Sequence, residues 1–174
     1  AAHKNSRRYS IYCSSFSKTL APGYRIGWAV PGLYRDQVER LKALTNLASP
    51  SVLSLGVARY LQGSAYDRVL RTMRREYARR CNFMRASILA NFPPGTRVSL
   101  PQGGYVLWVE LPRGYDTLKL YPKARAEGVV YAPGSMFSAG QRYRHCLRLP
   151  AADWGPRVQS AVEALGRLLL ARRE

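Results

Sequence analysis

The 174-residue sequence predicts an α/β fold, because short β-prone runs alternate with segments of helical periodicity along the chain. Two β-prone runs and three helical segments fill the first half, and four further strand candidates share the second half with two more helices. Apolar residues make up 47% of the chain, which is enough for a hydrophobic core and excludes a disordered protein. The length fits one domain or two small ones.

The first half is predicted to begin with strands at 9–13 and 25–30, the second ended by a Pro-Gly turn. Apolar residues at helical spacing then predict three helices, over 34–47, over 49–62 with Ser49 as N-cap, and from 65 to about Asn91. The prolines and glycine at 93–95 end the last of them.

The second half is predicted to contain four strands, at 97–100, 105–111, 128–132 and 144–149. A helix over 116–126 has Asp116 as N-cap, and Pro122 is expected to kink or shorten it. An amphipathic helix over 152–172, with Asp153 at its start, closes the chain.

The chain is strongly basic, with 28 Lys and Arg against 10 Asp and Glu and a formal net charge of +18. The densest arginines lie between Arg68 and Arg85, around an apolar stripe at helical spacing that comprises Val69, Leu70, Met73, Tyr77, Ala78, Cys81 and Met84. This pattern favours the solvated face of a long helix. A basic nucleic-acid module is the weaker alternative, and it predicts binding by this chain alone that is lost as salt rises.

The cysteines Cys13, Cys81 and Cys146 are widely spaced and form neither a disulfide framework nor a zinc pattern, so no metal site is expected. No apolar run approaches the roughly 20 residues of a membrane-spanning helix. Residues 1–8 contain neither an apolar h-region nor a cleavage site, so a signal peptide is not expected there. The composition is typical of a reduced, cytoplasmic protein without membrane partners.

The segment 14–28, Ser-Ser-Phe-Ser-Lys-Thr-Leu-Ala-Pro-Gly-Tyr-Arg-Ile-Gly-Trp, carries the chemistry. It places Lys18 beside Ser15 and Ser17 on a loop after a predicted strand, where ligands bind in α/β sheets. Arg25 follows behind a Pro-Gly turn and can grip a phosphate, with serine hydroxyls donating to the same group. Arg25 also supplies the neighbouring cation that a Schiff-base lysine needs to lose its proton. A surface Lys and Arg flanking an ordinary turn is the alternative.

This segment resembles the pyridoxal-phosphate lysine signature of the class I/II aminotransferases of fold type I. Ser-x-Ser-Lys, the Pro-Gly and Arg-x-Gly-Trp match it in type, order and spacing. The resemblance implies pyridoxal 5'-phosphate as cofactor and Lys18 as the internal-aldimine lysine and proton-transfer base. It also implies Ser15 and Arg25 as phosphate ligands, with Ser17 a weaker candidate.

Three downstream segments agree with the resemblance: 101–111 with a Gly-Gly turn entering a strand, 130–137 like the loop beside the family's substrate entrance, and 145–149. The first is best explained as a turn and a buried strand, and the second is equally well explained as a strand followed by a Pro-Gly turn. The third is similar to the strand that carries the family's carboxylate-binding arginine, which implies that Arg148 binds a substrate carboxylate. A structural ion pair is the alternative, since an arginine among apolar neighbours needs an anionic partner.

Only 17 residues precede Lys18, and none matches the family's partners of the cofactor's pyridine ring. The chain is therefore expected to be the C-terminal portion of a fold-type I transferase, with the end of the large-domain sheet at 1–64 and a linking helix and small α/β domain at 65–174. Strands of that mostly parallel sheet would leave an unpaired edge. The isolated chain is expected to be catalytically inactive.

The amino-acid sequences of the lysine segment and of the His-Cys-Leu-Arg-Leu strand are most similar to those of MocR-type regulators of the GntR family. This implies the effector-sensing part of a bacterial transcription regulator, which would contact DNA only through a separate N-terminal domain. A free-standing aminotransferase, converting an amino acid and a 2-oxo acid, is the alternative. Both imply an amino-acid-like ligand and a homodimer.

Overall fold

The computed structural model describes residues 9–140 and 142–171. The chain divides into two compact units, residues 1–70 and 71–174. The first unit holds a β-hairpin and two helices, and the second holds a four-stranded antiparallel sheet with helices. Both α-helices and β-strands are present, as the sequence predicts.

In the first unit, strands β1 (Tyr12–Ser15) and β2 (Gly27–Val30) pair antiparallel, with Tyr12 opposite Val30 and Ser15 opposite Gly27. The predicted position of the first strand, at 9–13, is wrong, because β1 begins three residues later and ends two residues later. The next partner beyond Val30 would be Pro31, which has no N–H to donate to a ladder. The strand therefore lies later in the chain than its β-prone residues suggest.

Three helices follow the hairpin: α1 (Arg35–Asn46), α2 (Ser51–Leu61) and α3 (Ala65–Asn91). The predicted cap of α2 is wrong, because Pro50 occupies the N-cap position and no side chain caps the helix. The predicted apolar stripe of α3 is buried only in part. Cys81 and Met84 are buried, whereas Val69 is 41% exposed.

The sheet of the second unit has the strand order β3-β4-β6-β5, with every neighbouring pair antiparallel. Its strands are β3 (Arg97–Val98), β4 (Val106–Glu110), β5 (Ala132–Pro133) and β6 (Cys146–Pro150). Leu107, Val109 and Leu147 are fully buried and form one core with Met84 and Ile88 of α3. The strand predicted at 128–132 is wrong in extent, because only Ala132 and Pro133 pair with β6.

Helix α4 (Thr117–Ala126) begins as predicted, because the Asp116 carboxylate accepts hydrogen bonds from the backbone N–H groups of Leu118 and Lys119, both at 3.1 Å. Of the two effects expected of Pro122, shortening does not occur, because the helix continues to Ala126. Leu120 and Ala124 on either side of Pro122 are both buried, so packing holds the helix together across the missing hydrogen bond.

The last helix, α5 (Pro156–Leu170), begins four residues later than predicted. Pro156 takes the first helical position, where its missing N–H costs nothing, and Gly155 is the N-cap. Asp153 instead accepts a hydrogen bond from the N–H of Trp154 at 2.8 Å. The predicted end at Arg172 lies outside the described residues.

Candidate functional site

Lys18 lies in a tight turn that follows β1. The backbone N–H groups of Thr19 and Leu20 donate to the carbonyl of Phe16, at 3.2 and 2.8 Å, and these bonds close the turn around Lys18. The Lys18 side chain is exposed, and within residues 9–140 and 142–171 no carboxylate pairs with it. Its amine is thus accessible to a ligand.

Arg25 ends the 3-10 turn Pro22–Tyr24 and has a φ of 53°, in the left-handed region that few non-glycine residues adopt. One guanidinium nitrogen and the backbone N–H of Arg25 both donate to the carbonyl of Pro22, at 3.3 and 3.4 Å. Such backbone outliers persist where the surrounding structure imposes them, and they concentrate at functional sites. The guanidinium is exposed and has no ion pair within the described residues.

The hairpin brings the serines of the motif to the same loop region as Arg25. Ser15 is opposite Gly27 in the ladder, and the N–H of Phe16 donates to the carbonyl of Ile26 at 3.0 Å. A Cβ at position 27 would lie 2.9 Å from the carbonyl oxygen of Ser14, so only glycine fits where the two strands approach. Ser15 is exposed and Ser17 is half-buried.

This set of groups suits a phosphate-bearing cofactor with an aldehyde. Two hydroxyls and a guanidinium are hydrogen-bond donors that recognise phosphate oxygens, and a lysine amine condenses with a carbonyl. Thr19 adds a further observation, because its hydroxyl oxygen is buried and has no hydrogen-bond partner within the described residues. Sequence reasoning did not single out Thr19, although its place directly after Lys18 was a signal.

Arg148 belongs to the second unit and lies in the middle of β6. It is exposed, whereas Leu147 and Leu149 on either side of it are buried. Its neighbours across the ladder are Trp108 on β4 and Ala132 on β5. The guanidinium carbon lies 4.8 Å from the centre of the Phe137 ring, which is within the range of a cation–π interaction.

No Asp or Glu within residues 9–140 and 142–171 forms an ion pair with Arg148. Glu110, two residues along β4 from Trp108, is engaged by Arg97 at 2.7 Å and by His145 at 3.4 Å. The hydrogen bond from Arg97 lowers the pKa of Glu110, so its carboxylate stays charged. The structural ion pair considered from the sequence is therefore not formed within the described residues.

Aromatic residues near Arg148 were missed by sequence reasoning. The Trp108 ring meets the Phe137 and Tyr143 rings edge to face, with centroids 5.6 and 5.7 Å apart. Phe137 lies in the 130–137 segment already compared with a substrate-entrance loop, and this was the available signal. Within the part of the chain that the structure describes, no three His, Cys, Asp or Glu side chains cluster as metal ligands. No described helix is long and apolar enough to cross a membrane.

No family model matches the chain. The uncharacterized HTH-type transcriptional regulator YdcR of Escherichia coli (strain K12) is 36% identical over 163 residues, which are 93% of this chain and 35% of that protein. Aromatic-amino-acid aminotransferase 1 of Thermococcus litoralis is 34% identical over 141 residues, or 80% of this chain and 34% of that protein. A crystal structure of Pyrococcus horikoshii kynurenine aminotransferase, in complex with PMP, matches with a TM-score of 0.86 at 30% identity. This match covers 94% of the present chain and 41% of the kynurenine aminotransferase chain.

The chain is part of a fold-type I aminotransferase-like domain. This confirms the family and the fold that the lysine segment predicts. The relatives of this aminotransferase-like chain include both transcription regulators and aminotransferases, which are the two kinds of protein that the sequence favours. The chain spans only 34% to 41% of the length of these relatives.

Proposed function

We propose that this aminotransferase-like chain holds pyridoxal 5'-phosphate and forms the effector-sensing part of a bacterial transcription regulator of the GntR/MocR type. The observation that carries the proposal is the hairpin that presents Lys18, Ser15, Ser17 and Arg25 in one loop region. When bound, pyridoxal phosphate supplies an electron sink for chemistry at the carbon that bears an amino group.

Each residue has a separate task in this proposal. The amine of Lys18 would hold the cofactor through its aldehyde group and would carry protons to and from a bound ligand. Arg25 and the Ser15 hydroxyl bind the phosphate, with Ser17 assisting. Arg148 binds the carboxylate of an amino-acid-like ligand through its free guanidinium.

Treatment of the full-length protein with pyridoxal phosphate and then with borohydride tests the role of Lys18. Reduction is expected to fix the cofactor on Lys18, and peptide mass spectrometry locates the label. The Lys18→Ala variant is expected to remain unlabelled, whereas Lys42→Ala, which removes an exposed lysine of α1 in the same unit, labels like the wild type. A label on another lysine with Lys18 untouched would contradict the proposal.

A free-standing aminotransferase is the second candidate, favoured by the similarity to aromatic-amino-acid aminotransferase 1 of Thermococcus litoralis. Regulator and enzyme share every residue named above. Transfer of an amino group from amino acids to 2-oxo acids by the full-length protein would establish the enzyme. Binding to its own promoter DNA, altered by pyridoxal phosphate or an amino compound, would establish the regulator.

We also propose that the full-length protein is a homodimer. Support comes from exposed apolar side chains of the first unit, which are typical of a surface that another chain covers. Leu44 is 82%, Leu47 89% and Val52 80% exposed. Light scattering on the full-length protein checks the dimer, and Leu44→Asp is expected to shift it toward the monomer.

A cytoplasmic location is part of the same proposal, supported by three cysteines that form no disulfide.

A further inference from the structure

We propose that Phe137 is a positioning residue for Arg148, because its ring holds the guanidinium by a cation–π interaction and leaves the N–H edge free for a ligand carboxylate. The inference rests on the proposed function, since it assumes that Arg148 binds the carboxylate of an amino-acid-like ligand. It adds a residue to which the sequence assigned no role of its own.

The sheet limits the directions that the Arg148 side chain can take. Trp108 and Ala132 are its direct neighbours on the two flanking strands, and paired residues of an antiparallel ladder project to the same face. The Phe137 ring then lies 4.8 Å from the guanidinium carbon. The Trp108 ring meets that of Phe137 edge to face, at an interplanar angle of 73°, and so supports Phe137 from β4.

The backbone brings Phe137 to this place through Gly134. The 3-10 turn Gly134–Phe137 follows β5, and a Cβ at Gly134 would lie 2.7 Å from the carbonyl oxygen of Cys146 and 2.8 Å from its Cβ. Only glycine permits that approach to the start of β6. The turn that carries Phe137 is therefore pressed against the strand that carries Arg148.

The interaction orients the charge without neutralising it. An ion pair would occupy the N–H donors of Arg148, whereas an aromatic face attracts the cation and uses none of them. Glu110, a carboxylate on the neighbouring strand, is already engaged by Arg97 and His145. The guanidinium therefore keeps both its full charge and its donors for an external anion.

A guanidinium held in this way loses little further rotamer freedom when a carboxylate binds, and such preorganisation increases affinity. Removal of the ring is therefore expected to weaken carboxylate binding. It is not expected to alter the attachment of the cofactor to Lys18, which lies in the other unit.

The experiment is an acetate titration of the full-length protein at low salt, followed by NMR of the arginine side-chain Nε–Hε resonances. The Arg148→Lys variant identifies the Arg148 signal by its loss. Phe137→Leu is expected to weaken acetate binding at Arg148 about fivefold, from the strength of such cation–π contacts. Phe137→Tyr, which keeps the ring face, is expected to bind within about twofold of the wild type. Met136→Leu is the matched control in the same turn, since Met136 is 71% exposed.

A second variant separates the charge–ring interaction from packing. Pentafluorophenylalanine at position 137 keeps the ring shape but reverses the sign of its quadrupole, so it is expected to weaken binding as much as leucine does. The fluorinated variant therefore tests the cation–π interaction even if Phe137→Leu fails to fold.

Wild-type affinity in both Phe137→Leu and the fluorinated protein would overturn the positioning role and leave the proposed role of Arg148 intact. An Arg148 signal that does not respond to acetate in the wild type would overturn both. Failure of the borohydride label at Lys18, with fivefold weaker acetate binding in Phe137→Leu, would overturn the cofactor proposal and support the positioning role.

Discussion

The hydroxyl of Thr117, at the first position of α4, lies 2.7 Å from the backbone carbonyl oxygen of Cys146, at the first position of β6. Thr117 is fully buried, and it is the one polar residue buried to this degree among those that the structure describes. Its own carbonyl accepts a hydrogen bond from the Tyr131 hydroxyl at 2.7 Å. The first bond ties the start of α4 to the strand that carries Arg148, and the second ties it to the segment just before β5.

Thr117→Val is expected to destabilise the chain by about 1–2 kcal/mol, because it keeps the side-chain shape but removes a buried hydrogen bond. Urea unfolding followed by circular dichroism measures the change. Thr117→Ser, which keeps the hydroxyl, is expected to recover part of the loss. Equal stability of the valine variant and the wild type would show that the hydrogen bond contributes nothing.

Gly134→Ala is expected to destabilise the second unit by about 1–3 kcal/mol, because the added methyl overlaps the backbone of β6. The Cβ would lie 2.7 Å from the carbonyl oxygen of Cys146. Gly103→Ala is the matched control, since a Cβ there has no atom within 4 Å. Thermal unfolding of both variants gives the comparison, and equal melting temperatures would contradict the close approach.

The ion pairs of Glu76 predict that the folded chain loses stability in acid. Hydrogen bonds from Arg79 and Arg80, at 2.8 and 2.7 Å, lower the pKa of Glu76 from 4.5 to about 2. A carboxyl with a depressed pKa stabilises the fold above its unfolded pKa, and that contribution is lost as the pH falls from about 4.5 toward 2. The stability difference between wild type and Glu76→Gln is therefore expected to shrink across this window.

Urea unfolding at several pH values checks the effect of Glu76. Replacing Arg79 and Arg80 by glutamine removes the cause of the depressed pKa, so this variant is expected to lose the same acid dependence while Glu76 remains. A stability difference between wild type and Glu76→Gln that stays constant from pH 5 to about 2 would refute the linkage.

The three cysteines are expected to differ sharply in reactivity. Cys13 is exposed, whereas Cys81 and Cys146 are 4% and 1% exposed, and burial raises the pKa of both buried thiols. Ellman's reagent is expected to modify one thiol quickly in the native chain and the other two only on unfolding. Cys13→Ser should abolish the fast phase, and rapid modification of Cys146 would count against its buried place in β6.

Local signals made several elements predictable from the sequence. Helix α3 was predicted to its boundaries because glycine and serine at 63–64 and prolines at 93–94 mark both ends. The start of α4 was predicted for the same reason, since the Asp116 cap acts within three residues. Strands were predicted less well. The extent of β1 depends on Pro31, which follows the partner strand β2 and cannot extend the ladder. The extent of β5 depends on which of its residues pair with β6.

By itself, the sequence determined which chemical groups lie together around Lys18, because those serines and the arginine are close along the chain and one hairpin suffices to join them. The surroundings of Arg148 were decided only by the tertiary structure. Trp108, Phe137 and Tyr143 belong to separate segments, and strand register and the close approach at Gly134 bring them to one face of the sheet. Long-range pairing of this kind depends on contacts between segments that no local pattern encodes.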